Sequence, residues 1–274
     1  MIAVLLACYN RQELTSNIVS KFLKHSEFFD LFIVDGGSTD ETCEILNAMS
    51  KSAENLYLFS EQDSYWAESM RLAWKIAREK KEYSGYLLVN DDLEIDPGRL
   101  EEFKSETRKF KETEIYVGQC LDTSRQSITY GGLVRKSLKS RIHFRIGKAE
   151  ENLCTFNANF VYVPKEVVSR IGILSGRFRH SFADIDYGLR ATKNQIRIRL
   201  IEKPIGVTNY NNLWASTLNN LNFTNYKFIL FNAKGLPIKE WYIFCKRHAG
   251  PFWMIYFLFR YLRMILKSNK LVSY

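Results

Sequence analysis

The stretch Tyr86-Leu87-Leu88-Val89-Asn90-Asp91-Asp92 decides how this chain is read, because an apolar run leads straight to two adjacent carboxylates. An unbroken run of this kind reads as a strand covered on both faces, and its carboxyl end is where open α/β sheets bind ligands. Two neighbouring carboxylates repel each other, which raises at least one pKa unless a cation stands between them and an anionic ligand. A divalent metal is the economical explanation. A solvated Asp-Asp turn leading into the next helix is the alternative.

Working outward, three earlier apolar runs are each closed by polar residues: Ile2 to Cys8, Leu31 to Val34 and Leu56 to Phe59. Between them the spacing becomes helical. Asn10, with Glu13 three residues on, reads as a helix cap, followed by Leu14, Ile18, Phe22 and Leu23 on one stripe. Asp35-Gly36-Gly37-Ser38-Thr39-Asp40-Glu41-Thr42 is a glycine-rich loop whose Ser38 and Glu41 fit a capping box. Met70, Ala73, Trp74 and Ala77 share a helix face after the third run. Strands alternating with helices as far as Asn90 predict an α/β fold with a mostly parallel, doubly wound sheet.

Beyond the doublet, Asp96-Pro97 reads as a helix start with Pro at the first helical position, opening a charged helix from Arg99 to Lys111. Gly131-Gly132 and the basic stretch from Arg135 to Lys148 read as an excursion or hairpin over the sheet. Thr155 to Val163 is expected to be a strand ended by Pro164, Phe182 to Arg190 opens a helix, and Arg197 to Ile201 alternates like an edge strand. An Asn-rich stretch near 205–225 is the expected boundary. It divides a catalytic domain, residues 1–215, from a C-terminal helical extension rich in aromatic and basic residues, 216–274.

Composition bounds the chemistry. The chain has 274 residues, 46% hydrophobic and 25% charged, enough for one large α/β domain with an appendage. Its 39 Lys and Arg against 30 Asp and Glu give a formal charge of +9, which suits nucleotide phosphates or an anionic membrane surface. Nucleic acid is not the expected partner, since the basic residues are dispersed and no nucleic-acid-binding signature appears. Cys8, Cys43, Cys120, Cys154 and Cys245 are scattered singly and read as buried thiols of the cytoplasm, without disulfides or structural zinc. Met1 to Asn10 runs too briefly for a signal peptide. Pro251 to Leu266, interrupted by Arg260 and Arg263, falls short of the roughly 20 residues of a spanning helix.

In order, Ala7-Cys8-Tyr9-Asn10-Arg11, Asp35-Gly36-Gly37-Ser38-Thr39-Asp40, Asn90-Asp91-Asp92 and Asp184-Ile185-Asp186-Tyr187-Gly188-Leu189-Arg190 resemble the motifs of family 2 glycosyltransferases, inverting enzymes of the GT-A fold. Trp66-Ala67-Glu68-Ser69-Met70, His180 and Lys234 to Trp241 resemble bacterial rhamnosyltransferase-like members that build surface polysaccharides. The resemblance implies a nucleotide-diphosphate sugar donor, UDP- or dTDP-linked by preference, and a glycan or lipid-linked glycan acceptor. It further implies that Asp92 ligates Mn2+ or Mg2+, while Asp91 meets the ribose or reaches the metal through water. Asp35 would accept a pyrimidine N–H, Tyr9 would stack on the base, Arg11 would meet phosphate, and Ala7 would offer backbone groups.

Asp184 is the implied catalytic base, removing the acceptor proton as the hydroxyl attacks the anomeric carbon. A helix cap would look the same in sequence. Ala183 stands where the commoner family pattern has Glu. Asp186 and Arg190, at i and i+4, read as an ion pair supporting the site, and Trp66, Met70 and His180 as further members of the donor and acceptor pocket. From Lys239 to Lys270, aromatic residues interleaved with cations suit a helix lying peripherally on the cytoplasmic face of the membrane, or one packed on the domain. A sugar-nucleotide pyrophosphorylase and a non-catalytic glycosyltransferase-like scaffold are the competing readings.

Overall fold

The computed structural model describes residues 1–137, 141–208 and 223–271, with side chains outside the description at 223–225 and 264–271. The boundary expected at 215/216 and part of the basic stretch, 138–140, lie outside the described residues. The first half runs β1 (Ile2–Cys8), α1 (Gln12–Leu23), β2 (Phe29–Asp35), α2 (Thr42–Ser52), β3 (Leu56–Ser60), α3 (Trp66–Lys80), β4 (Gly85–Asn90), β5 (Glu94–Ile95), α4 (Arg99–Thr107) and β6 (Glu114–Val117). Then follow β7 (Cys120–Leu121), β8 (Ile128–Tyr130), β9 (Gly132–Arg135), β10 (Phe144–Ile146), β11 (Thr155–Phe156), β12 (Phe160–Pro164), α5 (Lys165–Ile171), α6 (Ala183–Lys193), β13 (Arg197–Leu200) and β14 (Gly206–Val207). The last helices are α7 (Phe223–Phe231), α8 (Ile238–His248) and α9 (Trp253–Leu271).

The central sheet has the order β13-β6-β12-β4-β1-β2-β3, and within it only β12 runs against the rest. Why β1 is apolar throughout follows from its two faces. Ala3, Leu5 and Ala7 face a core built with Met70, Ala73 and Trp74 of α3, whereas Ile2, Val4 and Leu6 face Ile18, Val19 and Phe22 of α1. Successive side chains of a strand point to opposite faces, so a strand between two helix layers has no polar position to spare. This is the α/β architecture predicted from the alternation, with β13 at the edge as expected.

Several local readings are corrected. Asn10 does not cap α1; it has φ 50°, and its Oδ1 accepts from the Thr39 N–H at 2.7 Å, stitching the β1 loop to the β2 loop. Ser38 and Glu41 form no capping box, because the Ser38 hydroxyl is drawn to Asp35. Pro97 precedes the left-handed N-cap Gly98 instead of opening α4, which ends at Thr107. The segment Thr155 to Val163 is two strands in two sheets, β11 and β12, since Asn157 to Asn159 turn the chain between them. Cys43 and Cys154 are only half-buried.

Helix α6 lies against β11 so closely that a Cβ on Gly188 would fall 2.7 Å from the Thr155 Cα. Trp241, Phe244 and Cys245 of α8 join the same core as β1, α3 and α6.

Candidate functional site

The carboxyl ends of three neighbouring strands form the floor of the site: Cys8 of β1 pairs with Asp35 of β2, and Ala7 pairs with Asn90 of β4. A cavity of about 750 Å³ opens there, within the range of roughly 300–1,000 Å³ usual for small-molecule sites. Of the residues singled out in the sequence, Ala7, Tyr9, Arg11, Trp66, Asp91 and His180 line it. Trp66, the first residue of α3, is aimed by its indole N–H, which donates to Asn90 Oδ1 at 2.9 Å.

The acidic doublet follows β4 in a turn. Arg11 Nη1 bridges it, donating to Asp91 Oδ1 at 2.7 Å and to Asp92 Oδ2 at 3.1 Å. Burial pushes the Asp91 carboxyl up to about 6, against the opposing pull of Arg11 and with a further push from Asp92. Asp92 Oδ1 is buried and has no hydrogen-bond partner among the described residues.

That orphaned oxygen is the observation on which a metal can be tested. Carboxylate oxygens suit a hard dication such as Mg2+, and one of them is already desolvated with nothing to bond. Among the described residues no group of three or more His, Cys, Asp or Glu forms a closed cage. An open site that leaves positions for phosphate oxygens and water is the usual arrangement for Mg2+ beside a nucleotide. The residues present therefore fit a metal held by the doublet.

His180 stands in the cavity wall with Nδ1 buried and without a hydrogen-bond partner among the described residues. Burial first, then the charges of Lys234 and Arg11, push its pKa down to about 4, so the imidazole is neutral. Asp184 is the second residue of α6 and does not line the cavity. Its Oδ1 accepts from the Ile185 N–H at 2.8 Å and its Oδ2 from the Ala158 N–H at 3.2 Å. It is partly exposed, yet desolvation outweighs these bonds and raises the carboxyl to about 6.

Asp35, Met70, Asp92, Asp186 and Arg190 do not line the cavity. Asp35 is 1% exposed and off the cavity wall. Its carboxylate accepts from the Gly37 and Ser38 N–H groups at 3.3 and 3.0 Å, which makes it the cap of its own loop. Met70 is wholly buried in the core, because on α3 it shares the inward face with Ala73, Trp74 and Ala77. Asp186 and Arg190 do form the expected ion pair, at 3.0 Å, but away from the pocket. The Asp186 carboxylate is fully buried and also binds Arg247 Nη1 at 3.0 Å and His248 Nε2 at 2.8 Å, so it clasps α8 to α6. Its cations and hydrogen bonds hold its pKa below the ordinary value despite the cost of burial.

The cavity also has walls that were not anticipated. Gln62 and Asp63 follow β3 at the same sheet edge, and the strand-end rule applied to the third apolar run would have found them. Arg179 donates to Glu68 Oε1 at 3.0 Å, with its guanidinium 4.6 Å from the Tyr65 ring centroid. Phe228 and Asn232 arrive from the C-terminal segment with no local signal that they would, together with Lys234, the first residue of the segment Lys234 to Trp241 that carries the sequence resemblance.

A family model described as glycosyl transferase family 2 matches residues 3–182. Curated proteins yield no match. Among solved structures, S. aureus TarS 1-349 is similar at 16% identity and TM-score 0.55, over 88% of this chain and 68% of that one. The same TarS fragment in complex with UDP-GlcNAc matches at 14% identity and TM-score 0.53, over 89% and 70%. The mannosyltransferase PcManGT from Pyrobaculum calidifontis, in complex with GDP-Man and Mn2+, matches at 10% identity and TM-score 0.53, over 88% and 62%. At these identities the likeness speaks for a shared fold.

Proposed function

We propose, from the premise that this chain belongs to glycosyl transferase family 2, that it transfers a sugar, with inversion, from a nucleotide-diphosphate donor to a hydroxyl of a glycan or lipid-linked glycan. The observation that carries this reading is the strand-end cavity with Asp91 on its wall, joined through Arg11 to Asp92, whose Oδ1 has no hydrogen-bond partner among the described residues. Tyr9, 48% exposed on the wall, offers its ring to the base. Asp91 serves the ribose, and Asp92 with Asp91 would hold Mn2+ or Mg2+. Such an ion supplies Lewis-acid neutralisation of the diphosphate.

Asp184 takes the proton of the acceptor hydroxyl, whose oxygen attacks the anomeric carbon opposite the leaving phosphate. Trp66 and the neutral His180 bound the space for the transferred sugar, a hexose or deoxyhexose. This fold accommodates UDP-GlcNAc in one neighbour and GDP-Man in another, so the base is a property of side chains such as Gln62 and Asp63. A thermal-shift screen of UDP-, dTDP- and GDP-sugars with and without Mn2+ tests the reading, since a ligand of the native state raises the melting temperature. One nucleotide class is expected to give a Mn2+-dependent rise; no shift with any donor would reject it.

A membrane-surface location on the cytoplasmic side completes the proposal. None of the described helices is long and apolar enough to cross a membrane. Helix α9 nevertheless buries one face against the core through Tyr256, Phe257 and Tyr261 and leaves Ile255, Leu258, Phe259 and Leu262 more than half exposed. An apolar stripe beside basic residues such as Arg263 suits the boundary of an anionic leaflet. The double variant Ile255→Glu/Leu258→Glu is expected to lose at least roughly tenfold in binding to phosphatidylglycerol vesicles, because charge is costly in that layer. Undiminished sedimentation of the variant with vesicles would remove this face of α9 as the membrane contact, and a wild type that does not sediment with them would exclude the membrane.

A further inference from the structure

The cavity is walled on one side by a segment beyond the family match, which ends at residue 182. Lys234 sits there on a fixed turn. The Asn232 carbonyl accepts from the Gly235 N–H at 2.9 Å, and the Asn232 side chain accepts from the Lys234 N–H at 2.9 Å. The Ser181 hydroxyl donates to the Ala233 carbonyl at 3.1 Å, tying the turn to the entry of α6. At Gly235 the chain passes so close to α7 that a Cβ would lie 2.6 Å from the Ile229 carbonyl oxygen. Ala233 and Leu236 on either side are buried.

The cations on the cavity wall differ in what already engages them. Arg11 is tied to Asp91 and Asp92, and Arg179 to Glu68. Lys234 makes no ion pair among the described residues, and its Nζ lies 5.8 Å from the centroid of the Tyr9 ring. An ammonium carried on a fixed turn, with no carboxylate paired to it among the described residues, on the wall of a cavity and over the Tyr9 ring, is disposed to meet an anion.

We infer that Lys234 binds the β-phosphate of the donor. This rests on the nucleotide-sugar reading of the cavity. In transfer, the bond from the anomeric carbon to the β-phosphate oxygen breaks and its electron pair stays on that oxygen. The acceptor oxygen forms the new bond as its proton passes to Asp184. The diphosphate thus gains one negative charge as the sugar leaves, and an ammonium beside it favours transition state and product over the intact donor.

The test measures binding of UDP, dTDP, GDP and CDP, and of their monophosphates, to the full chain with Mn2+, for wild type, Lys234→Met and Lys234→Arg. The diphosphate that wild type prefers is expected to bind Lys234→Met roughly ten- to hundredfold more weakly, the loss of one charged hydrogen bond. Its monophosphate is expected to bind within about twofold, with kcat reduced in parallel, Lys234→Arg restoring most of both, and the melting temperature unchanged. Equal diphosphate affinity and kcat in Lys234→Met would overturn the role of Lys234 and leave the cavity reading standing. A loss confined to the acceptor KM would overturn it too, by moving the lysine to an acceptor phosphate. A wild type that binds no nucleoside diphosphate would bring down both.

Discussion

Asp184→Asn is expected to lower kcat by roughly 10²–10⁴-fold, the usual contribution of a general base, while donor affinity stays within a few fold. Burial lifts the Asp184 carboxyl to about 6, far enough to accept a proton at neutral pH while remaining ionised there. The sign of the pH dependence follows. A base must be unprotonated, so kcat/KM holds above pH 6 and falls as pH drops through about 6, where the carboxyl takes up its proton. In Asp184→Asn the part of that limb due to Asp184 disappears from the residual activity, leaving that of Asp91, whose carboxyl is also pushed up to about 6. Asn retains one oxygen for the Ile185 or Ala158 N–H but not both. The stability cost is therefore about 1 kcal/mol, a few degrees of melting temperature. A pH–rate profile of both proteins with the preferred donor decides the matter, and wild-type turnover in Asp184→Asn removes Asp184 as the base.

Asp92→Ala should abolish high-affinity Mn2+ binding, read by electron paramagnetic resonance, and reduce turnover by at least roughly a hundredfold. A Lewis acid is worth several kcal/mol of charge stabilisation at the leaving group, and each 1.36 kcal/mol is a factor of about ten in rate. The variant isolates ligation from folding, because Arg11 keeps its 2.7 Å contact with Asp91 and the loop after β1 stays anchored. Asp92 Oδ1 makes no hydrogen bond to lose. Wild-type Mn2+ affinity in Asp92→Ala would mean that the acidic doublet serves Arg11 alone.

How much could be read before folding divides by distance along the chain. The β1 run, the α3 stripe and the carboxylates after β4 declare themselves through spacing of two or 3.6 residues, a property of neighbours. The caps assigned to Asn10 and Ser38 failed because each group found a better partner, Asn10 across to Thr39 and Ser38 within its own loop at Asp35. Asp186 shows both cases at once. Its i+4 bond to Arg190 was legible, whereas Arg247 and His248, which complete its charge balance, lie about 60 residues further on.

By itself, then, the amino-acid order determined the alternating strands and helices, the sheet edge at which the cavity opens and the acidic residues brought to that edge. Only the tertiary structure decided that Asp35 and Met70 turn away from the cavity, that Arg11 bridges the doublet, and that the C-terminal segment supplies Lys234 to the site and a clasp to α6. The physical reason is that periodicity records which face of an element is dry. Partners of a buried charge are chosen by whichever side chains the packed elements bring within about 3 Å, however far apart in the chain they began.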